Sequence, residues 1–201
     1  MNDLDPTPVF RPELLEADRA MLLVIDLQEK LLPLIEKRER VLSAARRLIQ
    51  GAKIFELPVL VTEQYPKGIG RTDAGVRRCF EGRAVQVIEK TAFSAWAEPA
   101  VREAMLSIDR PQVIISGIET HVCVQQAALD LKSRDFDVFV CADAVGARGT
   151  VDHKIALERM RHAGVIVTTV ESVLFELCGR CDTSRFKAML EIIKDRDDEP
   201  F

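Results

Sequence analysis

Residues 20–26 read AMLLVID, six apolar residues in a row followed by a carboxylate. A strand with one face in water alternates apolar and polar side chains, so an unbroken apolar run marks a strand covered on both faces, as in a parallel sheet. Five further short runs share this character: Val59–Thr62, Val85–Glu89, Val113–Gly117, Asp137–Ala142 and Val165–Thr169. The segments between them carry helical spacing. Lys37–Glu56 places Val41, Ala44, Ala45, Leu48, Ile49 and Ala52 on one face, and Pro99–Ile108, Val122–Ser133, Val151–Ala163, Thr183–Lys194 and the shorter Glu171–Leu177 read the same way. Thr150 and Asp182 stand where N-caps belong. Strand–helix alternation repeated six times predicts an α/β fold: a three-layer α/β/α domain around a six-stranded, mostly parallel, doubly wound sheet. The domain is expected over 17–195, with a polar arm at 1–16 and a tail at 196–201.

Composition narrows the function classes. A formal net charge of -4 disfavours a nucleic-acid surface, which needs clustered Lys and Arg, and the local basic clusters are interspersed with acids. No apolar run approaches the roughly 20 residues of a membrane span. Residues 1–12 have neither the basic start nor the apolar stretch of a secretory signal. Five cysteines, an odd number in a chain this long, do not form a disulfide framework, so the expected compartment is the reduced cytoplasm.

Ligands of doubly wound sheets bind beyond the carboxyl ends of the strands, so polar residues there are the candidates for chemistry. The first run ends at Asp26, the third at Glu89 and Lys90, and the fourth runs through the turn Gly117–His121 to Cys123 at the start of a helix. An acid, a base and a thiol can thus meet at one edge. A helix N-terminus and a neighbouring ammonium both favour the thiolate of Cys123. Asp26 is placed to accept the thiol proton and return it to a leaving group. Backbone N–H groups of the turn could hold an oxyanion. The same residues also admit structural roles: a buried small hydrophobe for Cys123, a helix cap for Asp26, a solvated side chain for Lys90.

Four motifs carry a resemblance that separates these readings. VIDLQEKLLPLI (24–35), VLVTEQYPKGIGRT (59–72), EKTAFSAW (89–96) and SGIETHVCVQQAALDL (116–131), with the run from Val151 to Gly164, resemble the isochorismatase-like cysteine hydrolases, in particular the isochorismatase domain-containing branch. The resemblance spans about residues 20–193 and implies the isochorismatase-like hydrolase fold. It implies a catalytic triad of Asp26, Lys90 and Cys123, and a cis peptide between Ile118 and Glu119 that turns the Glu119 and Cys123 N–H groups into an oxyanion hole. It also implies a substrate pocket involving Gln28, Gln64 and Phe93, with Tyr65 and Trp96 as further candidates, and a homo-oligomer, dimer or larger.

Two departures refine the expectation. Nicotinamidases of this superfamily hold a metal through an Asp and two His after the second strand, and TEQYPKGIGRT contains no histidine. True isochorismatases lack the nucleophilic cysteine that this chain retains. The expected activity is a metal-free, cofactor-free hydrolysis of a small amide, ureido or related C–N substrate through a covalent intermediate on Cys123. The alternatives are a catalytically silent binding or regulatory protein of the same fold and, more remotely, a thiol redox protein using Cys178 and Cys181. That C-x-x-C follows the last strand rather than the first, and His121, His153 and His162 lack metal-ligand spacing. Residues 67–72 (KGIGRT) lack the phosphate-loop pattern and read as an active-site loop.

Overall fold

The computed structural model describes residues 14–83 and 85–194. Most of the expected N-terminal arm and all of the expected tail lie outside them.

Six strands form the sheet: β1 (Ala20–Ile25), β2 (Val59–Gln64), β3 (Gln86–Lys90), β4 (Gln112–Ile118), β5 (Asp137–Gly146) and β6 (Ile166–Thr168). Their order is β3-β2-β1-β4-β5-β6, and every neighbouring pair is parallel. The unbroken apolar run of β1 has a direct explanation. Leu22 and Val24 enter one core, and Met21, Leu23 and Ile25 enter the other, on the opposite face of the sheet. The first core is closed by α1 (Arg38–Ile54), α7 (Val170–Cys178) and α8 (Ser184–Lys194), through residues such as Leu48, Leu174 and Met189. The second is closed by α4 (Pro99–Ile108), α5 (Gln125–Lys132) and α6 (Thr150–His162), through Met105, Leu131 and Met160. Two short helices, α2 (Pro66–Ile69) and α3 (Ala74–Arg78), fill the β2–β3 connection, which the sequence reading left as loop.

The structure alters some local expectations. The third strand is an edge strand with Val87 exposed, so it is not buried on both faces. The fifth strand runs on to Gly146, beyond the expected Ala142, because β5 bulges: Ile115 pairs with Val140 but Gly117 pairs with Val145. Ser116 Oγ donates to Ala144 O across this irregularity at 3.0 Å. Thr150 is not a cap. Gly149 holds that position in α6, and the Thr150 hydroxyl turns to Glu36 instead. Asp182 pairs with Arg180, and Thr183 Oγ1 accepts from Phe186 N at the head of α8.

The strand order reverses at β1, whose neighbours continue in opposite directions through the sheet. The crevice between the carboxyl ends of β1 and β4 is therefore the topological switch point. Gly117 sets its width. Its φ of 136° is one that side-chain-bearing residues rarely adopt, and a Cβ there would lie 2.0 Å from Ile25 O. Only glycine lets β4 approach β1 this closely at the level of the crevice. Gly117→Ala is expected to destabilise the protein by roughly 3–5 kcal/mol, since backbone strain and a backbone clash combine. Urea unfolding measures it; a loss below about 1 kcal/mol would show that the strands part freely at this point.

Candidate active site

Asp26 is the first residue beyond β1 and takes a left-handed conformation (φ 53°) that turns the chain out of the sheet. It is fully buried. Its backbone N–H donates to Thr62 O at 3.1 Å, and Thr62 Oγ1 donates to Asp26 Oδ1 at 2.7 Å, so β2 fixes both the main chain and the carboxylate. Lys90, the last residue of β3, reaches in from the sheet edge and is buried. Its Nζ lies 2.7 Å from Asp26 Oδ2. The ammonium also donates to Gln64 Oε1 at 2.5 Å and to the carbonyls of Ala92 and Phe93 at 3.2 and 3.3 Å.

Cys123 lies in a wide five-residue turn, Thr120–Val124, that precedes α5. It is 6% exposed, and its thiol lies close enough to Asp26 and Lys90 for both charges to act on it. The structure thus brings the three sequence-predicted residues together at the switch point. It corrects the expectation of a resting thiolate. Burial and the Asp26 charge outweigh the Lys90 ammonium, and the thiol is pushed up to about 12. At neutral pH the Cys123 thiol therefore keeps its proton beside the Asp26 carboxylate.

The Ile118–Glu119 peptide is cis. Glu119 anchors the nucleophile turn in two directions. Its carbonyl accepts from Val122 N and Val124 N at 3.0 and 3.2 Å. Its carboxylate accepts from Arg148 N and Nε at 3.1 and 3.0 Å. On the same turn, Thr120 Oγ1 lies 3.0 Å from His153 Nδ1.

The expected pocket residues separate into two groups. Gln28 is fully buried and its amide is already engaged by the main chain: Nε2 donates to Gln64 O and Gly70 O at 3.0 and 2.6 Å, and Oε1 accepts from Gln64 N at 2.7 Å. Gln64 spends its amide on Lys90 and on Thr91 O, the latter at 2.8 Å. The geometry makes both glutamines braces of the site, in place of the direct substrate contacts expected of them. Trp96 belongs to the core beside α4 and α5, edge-on to Phe136 with ring centroids 5.5 Å apart. Tyr65 and Phe93 differ. They flank Lys90 in the chain fold, Tyr65 N donating to Lys90 O at 2.9 Å, and both side chains are more than half exposed.

Several residues escaped the sequence reading. Glu63 sits nearly buried at the end of β2, where Thr72 N and Oγ1 donate to Oε1 at 2.7 and 2.8 Å and Arg71 Nη1 donates to Oε2 at 2.9 Å. With Gln28–Gly70, and Lys30 Nζ donating to Gly68 O at 3.0 Å, it ties the loop after α2 down beside the site. No spacing rule identifies such a residue, because a strand-end Glu reads as solvated until its partners are known. Arg148 and Thr62 escaped for the same reason.

Among the described residues no three His, Cys, Asp or Glu side chains gather as a metal site, and all five cysteines are free. Cys178 Sγ donates to Arg180 O at 3.1 Å. No helix among the described residues is long and apolar enough to cross a membrane.

Burial raises the Glu63 pKa, but the hydrogen bonds from Thr72 and Arg71 prevail and hold it below the ordinary glutamate value. The loop tie is then fully present above the unfolded-state value of about 4.3 and is lost as pH falls through the lower folded value. Glu63→Gln is expected to cost about 1–3 kcal/mol at pH 7 and to remove that part of the acid sensitivity of stability. Denaturant titrations at pH 7 and pH 4 measure it, and an unchanged pH dependence in the variant would contradict the assignment.

The Isochorismatase domain family pattern matches residues 20–172 of this chain. Isochorismatase domain-containing protein 1 of Salmo salar is 41% identical over 175 residues, which cover 84% of this chain and 59% of that protein, so the chain spans less than two thirds of the salmon relative. Isochorismatase domain-containing protein 2 of Xenopus laevis is 38% identical over 177 residues, covering 88% of this chain and 84% of the relative. Among solved structures, the MAR1 ribonuclease from Caenorhabditis elegans superposes with a TM-score of 0.86 at 34% identity, covering 92% of this chain and 95% of its own. YcaC from Pseudomonas aeruginosa, solved with hexane-2,5-diol and covalent acrylamide, gives 0.83 at 28%, covering 90% and 91%. The Escherichia coli YcaC gene product, described as an octameric hydrolase of unknown specificity, gives 0.82 at 27%, covering 89% and 90%. A family match running from the first strand into α7, on a sheet ordered β3-β2-β1-β4-β5-β6, places this chain in the isochorismatase family.

Proposed function

We propose that the protein is a metal-independent cysteine hydrolase that cleaves a small amide, ureido or related C–N bond through a covalent intermediate on Cys123. The observation that carries this reading is a buried thiol set beside the Asp26–Lys90 ion pair, near enough that both charges act on it. A protonated thiol is a weak nucleophile, and the neighbouring carboxylate supplies the base.

As Sγ bonds to the substrate carbonyl carbon, its proton passes to Asp26. The oxygen of that carbonyl takes up negative charge, and the backbone N–H groups of Glu119 and Cys123 are assigned to receive it. Asp26 then returns the proton to the leaving nitrogen as the C–N bond breaks, which leaves an acyl-thioester. Water, deprotonated by Asp26, attacks that carbon, and Cys123 departs with the proton. Lys90 stays an ammonium throughout and balances the charge that appears and disappears on Asp26. Gln28 and Gln64 keep their bracing role, and Tyr65 and Phe93 present the aromatic walls at the mouth, which favours a small planar substrate.

The acrylamide bound covalently in Pseudomonas YcaC supports a reactive nucleophile in that relative, since acrylamide is an electrophile that thiols add to. The ribonuclease name of the nematode relative is weighed against the local electrostatics: Lys90 is buried and occupied by Asp26, so it is not available to track a phosphate backbone. For assembly, α6 exposes Val151 and Ile155 four residues apart on one face, which favours a homo-oligomer, as does the octamer of the Escherichia coli relative.

A turnover screen over small amides, ureido and N-carbamoyl compounds tests the proposal. The expected result is at least one substrate, a rate loss of about 10³-fold or more in Cys123→Ala, and a mass increment on Cys123 in quenched reactions. Activity that survives in Cys123→Ala would overturn it, and silence across the screen would favour a non-catalytic binding protein.

A further inference from the structure

The segments that lead into α1 and α6 meet where β5 ends. Glu36 N donates to Ala147 O at 3.1 Å, and the Thr150 hydroxyl hydrogen-bonds the Glu36 carboxylate. Between them, over the last residues of β5, lies a cavity of about 290 Å³ that contains none of the triad residues. Lys37 and Arg40 from α1 and Lys154 from α6 line it. Among the described residues, none of these three cations has a carboxylate within 4 Å.

The two acids of the cavity are, by contrast, engaged. Glu36 receives the Thr150 hydroxyl, and Asp143 accepts from Val170 N at 3.0 and 3.3 Å. Two of the cations also stand at the wrong end of a helix. Lys37 is the N-cap residue of α1 and Arg40 lies in its first turn, where the helix dipole disfavours positive charge. These exposed cations around one concavity, two of them at a helix start and Arg40 balanced only by the charge of the nearby Asp143, suit a ligand that supplies further negative charge. Val41 and Val145 give the same cavity an apolar wall, with room for a body beyond the charged group.

We propose that this cavity is a second ligand site, which takes a small molecule bearing a phosphate-like oxyanion. Lys37, Arg40 and Lys154 hold the oxyanion, and the apolar wall takes the remainder. The site borders the nucleophile turn without being part of it. His153 lines the cavity, and its Nδ1 is the atom that meets Thr120 Oγ1.

Thermal unfolding of the full chain in rising concentrations of inorganic phosphate, with ionic strength held constant by sodium chloride, tests the site and requires no catalytic activity. The expected result is a saturable rise of Tm in the unsubstituted protein. Lys154→Gln alone weakens the apparent phosphate affinity about tenfold, as expected for one charge-assisted hydrogen bond. The triple variant Lys37→Gln, Arg40→Gln, Lys154→Gln loses the rise, yet unfolds without phosphate at the same or a higher temperature. A control with Arg78, Arg159 and Arg161 changed to Gln keeps the full response. No rise in the unsubstituted protein, or an equal rise in the triple variant, would overturn the proposal.

Discussion

The buried ion pair between Asp26 and Lys90 is the constraint on which the rest of the site depends. Two full charges removed from water are tolerated only with close geometry and further hydrogen bonds, and loss of one partner from such a pair typically costs about 3–5 kcal/mol. The protein meets that requirement with Thr62 on the carboxylate and with Gln64, Ala92 O and Phe93 O on the ammonium. Each of these supports is itself held by the sheet or by another side chain. Gln64 is braced by Gln28, and Gln28 in turn fastens Gly70 in the loop that Glu63 grips from the other side. A chain of engaged polar groups therefore runs from the charge pair to the rim of the crevice.

This arrangement also explains why Cys123 rests as a thiol. Cys123 is placed against a neutralised pair instead of a free cation, in surroundings that penalise a new charge. In the proposed mechanism this placement lets one proton pass between sulfur and carboxylate beside the Lys90 ammonium. A thiolate stored in advance would be exposed to oxidation and to stray electrophiles, and a buried thiol is protected from both.

The fold was legible in the sequence because its signal is redundant. Each of β1, β2 and β4 is apolar on both faces, and no other architecture covers three such strands so simply. The convergence of Asp26, Lys90 and Cys123 was legible through strand ends and through the flanking motifs. What was not legible depended on partners distant in sequence. Gln28 and Gln64 look like polar pocket residues until the carbonyls that occupy them are located 27 to 42 residues away in the chain. Thr150 has the composition of a cap, but Glu36, 114 residues distant, claims its hydroxyl. The Val85–Glu89 run has the apolar character of an interior strand, yet topology puts β3 at the edge, and only its last residue, Lys90, is buried. Helix electrostatics gave no warning either, since the basic start of α1 reads as a solvated face until the cavity beside it is known.

The central claim is that the Asp26–Lys90 pair holds a protonated Cys123 until substrate arrives. The most direct measurement is the ultraviolet absorbance of the thiolate, taken as the difference between the unsubstituted protein and Cys123→Ala, across pH 6 to 10. With the thiol pushed up to about 12, the account predicts no thiolate step from Cys123 in this range, and a step moved to lower pH in Asp26→Asn, where the opposing charge is gone. A thiolate step centred at or below pH 7 in the unsubstituted protein would contradict it.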